Sequence, residues 1–283
     1  SAACRAVAHA ADKLGERQSV FSVAALHEEA GRVGLGKVSY AQISDAIAAA
    51  AKQGQLIDRT HIDRRGAEFA GFTTRFNVET ETKMLRIEAE GRGTLSPIAS
   101  PLAAAKAVAS ASAQAERTGF GWNAEQRTAT EQLLTSRNRV TALQGYAGTA
   151  KTTTVLATFA REAEVRGVSV VALAPTASAA MVLGEALGAR SDTVARHLLS
   201  PERPSQGQPA AWVVDEASLL SSRDTARLFD LAEKQNARVL LVGDVKQLGS
   251  VEAGAAFAQL QGAGMETAKL GEIVRQSSMA TKD

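Results

Sequence analysis

The octapeptide Gly145–Thr152 contains the residue types and spacing that point most directly to chemistry. It reads Gly-Tyr-Ala-Gly-Thr-Ala-Lys-Thr, follows a run with a strand pattern at 140–144, and opens a run with a helix pattern at 152–166. Turn amides and a helix N-terminus together form a nest that binds anions. The order of strand, glycine-containing turn, Lys-Thr and helix therefore predicts a phosphate-binding P-loop.

Within this loop, each side chain has a predicted role toward ATP and Mg²⁺, the expected cofactors. The amine of Lys151 would reach the β- and γ-phosphates, and the hydroxyl of Thr152 would bind Mg²⁺. Ala150 stands where glycine normally precedes the lysine, and its methyl restricts φ and crowds the phosphate. The predicted nucleotide-binding residues of the loop are Gly145, Tyr146, Ala147, Gly148, Thr149, Ala150, Lys151, Thr152 and Thr153.

Two acidic residues, Asp215 and Glu216, follow a second apolar strand pattern at 211–215. We expect Asp215 to hold Mg²⁺ through water and Glu216 to polarise the attacking water. Adjacent acids at a strand end are also common as solvated loop charges. Their place downstream of the P-loop, directly after an apolar strand, favours the catalytic interpretation.

A third strand pattern, at 237–242, ends in Gly243-Asp244-Val-Lys-Gln247-Leu. The amide of Gln247 is predicted to hydrogen-bond the γ-phosphate and to signal its presence. The alternative for this string is a polar turn. Three motifs at three strand ends fit one site, because parallel sheets bind ligands at the carboxyl ends of their strands.

Residues 119–283 alternate between strand and helix patterns, which predicts an α/β fold with a mostly parallel sheet and helices on both faces. Strands are expected at 139–144, 168–173, 211–215 and 237–242. Helices are expected near 152–166, 176–187, 222–234 and 253–261.

Residues 1–80 are predicted to form a small separate domain of three helices and a β-hairpin, the order of a winged helix. Ser22 and Ser39 are the expected N-caps of its second and third helices. A winged helix would contact DNA through helix 39–52 and through three hairpin residues, Arg59, Arg64 and Arg65. The alternative is a packing domain whose hairpin tip is merely solvated, because neighbouring acids dilute its charge. Residues 81–118, with a glycine-rich break and an Ala/Ser-rich run, are predicted to be a helical linker.

Composition excludes several classes of protein. The net charge is +2, so any contact with nucleic acid must be local. A single cysteine predicts a reducing, cytoplasmic setting, and the four histidines show no metal-ligand spacing. No apolar run approaches the roughly 18 residues that span a bilayer, so we expect no membrane insertion. The chain starts at Ser1 and stops just after a helix pattern, which suggests a fragment of a longer protein.

The three phosphate-site motifs, in this order, resemble motifs I, II and III of superfamily 1 DNA helicases, and the RecD-like branch fits best. The resemblance implies a RecA-like P-loop ATPase domain. Trp122–Ala129 resembles the upstream Q-type motif, in which Gln126 would read the adenine edge. Ile273–Gln276 resembles motif IV, whose Arg275 would reach the γ-phosphate. The segment that resembles motif Ia, and would contact single-stranded DNA, contains Pro175, Thr176 and Ala177.

The N-terminal part is similar to the corresponding region of conjugative relaxase-helicases of the TraI/TrwC type. The similarity lies in Ser19–Leu26 and in Phe72–Arg75, and the Gly-Thr-Ala-Lys-Thr loop is shared with that group. It implies an ATP-dependent translocase on single-stranded DNA acting in plasmid transfer, and the RecD-like resemblance implies 5′ to 3′ polarity. A conjugative coupling protein or type IV secretion apparatus would be a further partner. The second RecA-like domain, with motifs V and VI, is not found in this sequence, so we expect no unwinding by this chain alone.

Two alternatives remain open. A RecD-like repair or recombination helicase would share the motifs, although Phe72–Arg75 argues against it. A non-catalytic module that binds single-stranded DNA or a secretion channel would keep only the fold, and Ala150 is the one feature that favours it. The five residues opposing that second alternative are Lys151, Thr152, Asp215, Glu216 and Gln247.

Overall fold

The structure, a computed structural model, describes residues 1–16, 18–62, 66–119, 121–145, 152–200, 208–244 and 255–271. Its α-helices are α1 (Ala2–Gly15), α2 (Val23–Val33), α3 (Tyr40–Lys52), α4 (Arg75–Glu90), α5 (Pro101–Arg117), α6 (Ala124–Thr135), α7 (Ala157–Val165), α8 (Ala177–Leu187), α9 (Val194–Leu199), α10 (Ser222–Lys234) and α11 (Ala255–Gly262). Its strands are β1 (Phe21–Ser22), β2 (Leu56–Ile62), β3 (Glu68–Thr74), β4 (Val140–Gly145), β5 (Ser169–Ala174), β6 (Arg190–Thr193), β7 (Ala210–Val214), β8 (Ala237–Gly243) and β9 (Thr267–Leu270).

The N-terminal unit packs α1, α2 and α3 against an antiparallel sheet of order β1-β3-β2. The predicted caps are confirmed: the Ser22 hydroxyl accepts a hydrogen bond from the Ala25 amide, and Ser39 forms a capping box with Gln42. Such caps satisfy amides that a helix leaves unpaired at its start. The three helices and the β2–β3 hairpin come in the predicted order, but a short strand that was not predicted, β1, lies between α1 and α2 and pairs with β3. The winged-helix assignment stays a prediction.

The second unit is built on a six-stranded parallel sheet of order β6-β5-β7-β8-β4-β9. This confirms the predicted α/β fold, and the four predicted strands lie within one or two residues of their expected bounds. The strands at the two ends of the sheet, β6 and β9, were not predicted. Each has only four residues, and β6 reads Arg-Ser-Asp-Thr, so neither carries a recognisable apolar pattern.

Alternation of side chains along the strands divides the core between the two faces of the sheet. In β7, Ala211 and Val213 face one core, while Trp212 and Val214 face the other. The first core is completed by α5, α6, α7 and α8, and the second by α4, α9, α10 and α11. Both faces are therefore covered, as a parallel sheet requires.

The linker predicted at 81–118 is instead part of the second unit. Helix α4 starts directly after β3 and places Met84 and Ile87 in the second core. Helix α5 places Ala104 and Ala107 in the first core. The Ala/Ser-rich composition of α5 predicts a spacer, but the structure shows close packing instead, because small side chains let the helix approach its neighbours.

The partly buried side chain of Arg238 holds the loop between α4 and α5 at the amino edge of the sheet. The Arg238 guanidinium donates to the Ser96 and Ser136 carbonyls at 2.6 and 3.3 Å. Burial, together with the nearby charge of Arg139, lowers the pKa of Arg238 to about 10, so it stays charged at neutral pH.

Arg223, in the first turn of α10 a few residues after the acidic pair, contacts both the first turn of α4 and the residue that follows α1. The Arg223 guanidinium lies 4.7 Å from the centre of the Phe76 ring and 3.4 Å from Glu16 Oε1. The Asn77 side chain also donates to the Gly15 carbonyl at 3.2 Å.

Among the described residues, no helix combines the length and apolar character needed to cross a membrane.

Candidate nucleotide and DNA site

The strands that lead into the predicted motifs end at the same carboxyl edge of the parallel sheet. Strand β8 lies between β4, which precedes the predicted P-loop, and β7, which precedes the acidic pair. In the strand register Gln144 lies opposite Gly243, and Leu173 lies opposite Val214. Among the described residues, Gly145, Asp215 and Asp244 therefore lie at one edge, where parallel sheets bind ligands.

Several predicted site residues lie outside the described part of the chain, so their positions stay predictions. They are Arg64, Arg65, Tyr146, Ala147, Gly148, Thr149, Ala150, Lys151, Gln247 and Arg275.

The helix after the P-loop begins with a π-helical turn, Thr152–Leu156, which continues into α7. Val155 and Leu156 are fully buried in the first core, whereas Thr152 is half-buried and Thr153 is exposed. Short π-helical segments are frequent at functional sites. The buried pair anchors the start of the helix to the sheet, and Thr152 and Thr153 lie at its N-terminal end.

The acidic pair occupies a tight turn at the end of β7. The Asp215 amide donates to the Leu173 carbonyl at 2.9 Å, and Asp215 Oδ1 accepts from the Glu216 amide at 2.8 Å. Glu216 is exposed and has a left-handed backbone, with φ 51° and ψ 32°. A left-handed conformation is strained for a glutamate. Strain of this kind clusters at functional sites, and nothing in the sequence indicated it.

Gly243 allows the motifs at the ends of β7 and β8 to touch. A Cβ atom at this position would lie 3.3 Å from the Ser218 amide nitrogen and 3.4 Å from the Phe257 ring. The next residue, Asp244, is 6% exposed. Asp244 has no role in the sequence-based prediction, although it lies three residues before Gln247 in the same motif.

The segment that resembles the Q-type motif forms the start of α6. Asn123 Oδ1 accepts from the Gln126 amide at 2.8 Å, and Gln126 Oε1 accepts from the Asn123 amide at 3.0 Å. Gln126 is 2% exposed. This capping box fixes the orientation of the Gln126 side chain. Its contact with adenine stays a prediction.

A cavity of about 470 Å³ lies beside the start of the P-loop helix, between α5 and α7. The sequence does not predict this cavity, because one of its walls is α5, and that segment has the composition of a linker. Its lining combines small apolar side chains and one indole wall with polar groups, and includes Ala111, Gln114, Trp122, Ala157, Thr158 and Arg161.

The predicted DNA-contacting segment lies at the junction of β5 and α8. Thr176 is exposed and caps α8, since its hydroxyl accepts from the Ala179 amide at 3.3 Å. Pro175 and Ala177 flank it, so this segment shares the edge of the acidic pair. Arg59 is exposed on β2, in the separate N-terminal sheet. Its predicted DNA contact is therefore independent of the site on the parallel sheet.

The predicted metal ligands have suitable chemistry. The Thr152 hydroxyl and the Asp215 carboxylate are oxygen donors, the type that Mg²⁺ prefers, and Mg²⁺ usually keeps waters and binds substrate phosphates. Within the described ranges, no three His, Cys, Asp or Glu side chains are grouped to hold a metal ion by themselves. A site completed by phosphate and water fits this arrangement.

Comparison with known proteins identifies the family. A family model described as "AAA domain" matches residues 121–283. The probable conjugal transfer protein TraA of Sinorhizobium fredii is 40% identical over 136 residues, which cover 47% of this chain and 12% of TraA. RecBCD enzyme subunit RecD of Mycobacterium tuberculosis is 39% identical over 172 residues, covering 50% of this chain and 29% of RecD. The multifunctional conjugation protein TraI of Escherichia coli is 27% identical over 273 residues, covering 92% of this chain and 15% of TraI.

This chain therefore spans less than a third of the length of each of these relatives. Their names confirm the predicted resemblance to RecD-like helicases and to conjugative relaxase-helicases. Because the family model covers more than half of the sequence, the chain belongs to the AAA domain family.

Proposed function

We propose that this chain is an ATPase lobe of a conjugative relaxase-helicase, a motor that moves along single-stranded DNA during plasmid transfer. The observation that carries the proposal is that the three strands preceding the predicted motifs end at one sheet edge, with β8 between β4 and β7. The similarity to TraI extends over 92% of the chain, whereas RecD is matched over 50%. That difference favours the transfer role over the RecD-like repair alternative.

The proposed nucleotide site assigns one task to each group of residues. Lys151 and the P-loop amides bind the β- and γ-phosphates, and Thr152 and Asp215 hold Mg²⁺. Bound Mg²⁺ would neutralise charge on the phosphates. Glu216 orients and polarises the attacking water, and Gln247 and Arg275 contact the γ-phosphate. Gln126 reads the adenine edge, while the cavity walled by Trp122 beside the P-loop helix has room for the nucleoside.

The proposed DNA site lies next to the hydrolytic acids. The Asp215 amide is hydrogen-bonded to the Leu173 carbonyl, two residues before Pro175. A change at the acidic turn therefore reaches Pro175, Thr176 and Ala177 through one strand pair. Single-stranded DNA is the proposed partner, a secretion-channel coupling protein is a further one, and the cytoplasm is the proposed location.

Calorimetry with Mg²⁺ and a non-hydrolysable ATP analogue tests the nucleotide site. We expect the wild-type chain to bind and Lys151→Ala to lose most of its affinity, because the ammonium charge on the phosphates is removed. Lys106→Ala, an exposed lysine on α5 outside the site, is the matched control and should bind as wild type does. Absence of binding by the wild type, or equal binding by Lys151→Ala, would contradict the assignment.

A further inference from the structure

An exposed aromatic ring lies at the start of α3, in the N-terminal unit. Tyr40 is 72% exposed, and its ring stacks on that of His27 in α2. The two ring centres are 4.5 Å apart, and the ring planes differ by 18°. His27 therefore covers one face of the tyrosine ring, and the exposure of Tyr40 means that the opposite face is open to solvent. The ring is a flat surface that is held in place from behind.

The turn that leads into Tyr40 presents further apolar surface. Leu35, in this turn, is 83% exposed. The backbone of the turn is fixed by hydrogen bonds, because the amides of Lys37 and Val38 donate to the Gly34 carbonyl at 2.8 and 3.2 Å. The leucine therefore extends into solvent from a defined turn, five residues before the exposed ring.

The charge of this segment is positive. Residues 31–44 contain two cations, Arg32 and Lys37, and no acidic residue. Arg32 pairs with Glu28 at 2.6 Å on the surface of α2. Lys37 is exposed, and within the described part of the chain it forms no ion pair. A ring on which a base can stack and a cation for a phosphate are the two groups with which proteins hold single-stranded nucleic acid.

The rest of α3 offers little to the base edges of a duplex. The side-chain amide of Gln42 could read adenine, but its Oε1 accepts from the Ser39 amide at 2.9 Å in the capping box. Asp45 is exposed on the same helix and would repel a phosphate. Ala41 and Ala48 are exposed and carry no hydrogen-bonding side chain. These features favour a single strand, whose bases are free to stack on a ring, over a duplex.

We infer that Tyr40, Leu35 and Lys37 form a second contact for single-stranded DNA, in which a base stacks on the tyrosine ring and packs against the leucine, and a phosphate pairs with the lysine. The inference rests on the proposed function for the identity of the ligand. It assigns a site on the N-terminal unit, apart from the segment at 175–177. The plain alternative is that these are singly exposed side chains, which are common on protein surfaces. That alternative, like a docking site for another protein, predicts no change in DNA affinity when the ring is removed.

Fluorescence anisotropy of the whole chain with a labelled oligothymidine, at several salt concentrations, tests the contact. Tyr40→Ala should weaken binding about tenfold, whereas Tyr40→Phe keeps the ring and should stay within about twofold of the wild type. Lys37→Ala should reduce the slope of log affinity against log salt by about 0.7, the share of one phosphate contact on a single strand. Tyr40→Ala should leave that slope unchanged, because stacking releases no counterion.

Two controls make the test specific. Leu102 on α5 is as exposed as Leu35, so Leu102→Ala should bind as the wild type does, while Leu35→Ala should bind about threefold more weakly. The affinity for a labelled hairpin duplex should not respond to Tyr40→Ala, because its bases are already stacked on one another. Lys37→Ala changes an exposed turn residue and decides the matter through its salt slope if Tyr40→Ala does not fold.

Unchanged oligothymidine affinity in Tyr40→Ala, or equal weakening for oligothymidine and duplex, would overturn the inference. So would a wild type that binds the ATP analogue but no oligothymidine, and that result would leave the nucleotide site intact. A wild type that binds neither the ATP analogue nor oligothymidine would refute the proposed function itself.

Discussion

Replacing Glu216 with glycine is expected to stabilise the protein while removing the proposed water-polarising carboxylate. Glu216 has φ 51° and ψ 32° at the turn after β7, and its side chain is exposed. In that left-handed region a Cβ atom comes too close to the following carbonyl, whereas glycine has no such contact. The substitution therefore relieves backbone strain without opening a cavity.

Two opposing contributions set the expected change in the free energy of unfolding for Glu216→Gly. Relief of a left-handed backbone is worth roughly 1–2 kcal/mol. Glycine also gains freedom in the unfolded chain, which offsets roughly 0.5–1 kcal/mol of that relief. The net expectation is a stabilisation of about 0.5–1 kcal/mol, or about 1–4 °C in melting temperature for a domain of this size.

Glu185→Gly is the matched comparison, because Glu185 is exposed within the right-handed helix α8. There the same change should destabilise by about 1 kcal/mol through lost helix propensity. Glu216→Gln removes the charge and keeps the strain, so it should gain none of the backbone term. Chemical and thermal unfolding of the three variants decide the matter. A loss of stability in Glu216→Gly comparable to that in Glu185→Gly would refute the assigned strain.

Three further outcomes are expected. Asp230→Asn should lower stability by about 1 kcal/mol at pH 7, because hydrogen bonds from Lys234 and Lys83 hold the pKa of Asp230 below its ordinary value. A carboxyl with a lowered folded pKa stabilises above its ordinary pKa, so the difference from wild type should shrink when urea unfolding is repeated at pH values that fall through that lowered pKa. Gly243→Ala should lower the free energy of unfolding by about 1–2 kcal/mol, because the added methyl group overpacks the contact with Ser218 and Phe257. In the double variant with Phe257→Leu, the loss of stability measured by equilibrium unfolding should be smaller than the sum of the two single losses. The purified 283-residue chain should not displace a DNA strand with ATP. An arginine supplied by the second RecA-like lobe would stabilise the transition state, and its loss lowers the hydrolysis rate roughly 10³–10⁵-fold. Robust strand displacement would contradict the assignment of this chain to a single lobe.

The sequence by itself was sufficient for the four central strands of the parallel sheet and for two helix caps of the N-terminal unit. Runs such as Ala211–Val214 are apolar at every position because a parallel strand is buried on both faces. Caps such as Ser22 and Ser39 act over three residues, so they too are visible locally. The P-loop and the acidic pair combine a local pattern with a chemical requirement, which is why the sequence suggests a role for them, and that role stays a prediction.

Only the tertiary structure decided which elements are neighbours. The position of β8 between β4 and β7, and the packing of α4 and α5 against the sheet, depend on how whole faces complement one another. The bond between Glu125 and Gly271 joins residues 146 positions apart, and no local pattern specifies such a pair. The strained Glu216 is likewise imposed by its surroundings, because its own backbone preference opposes the conformation that the fold requires.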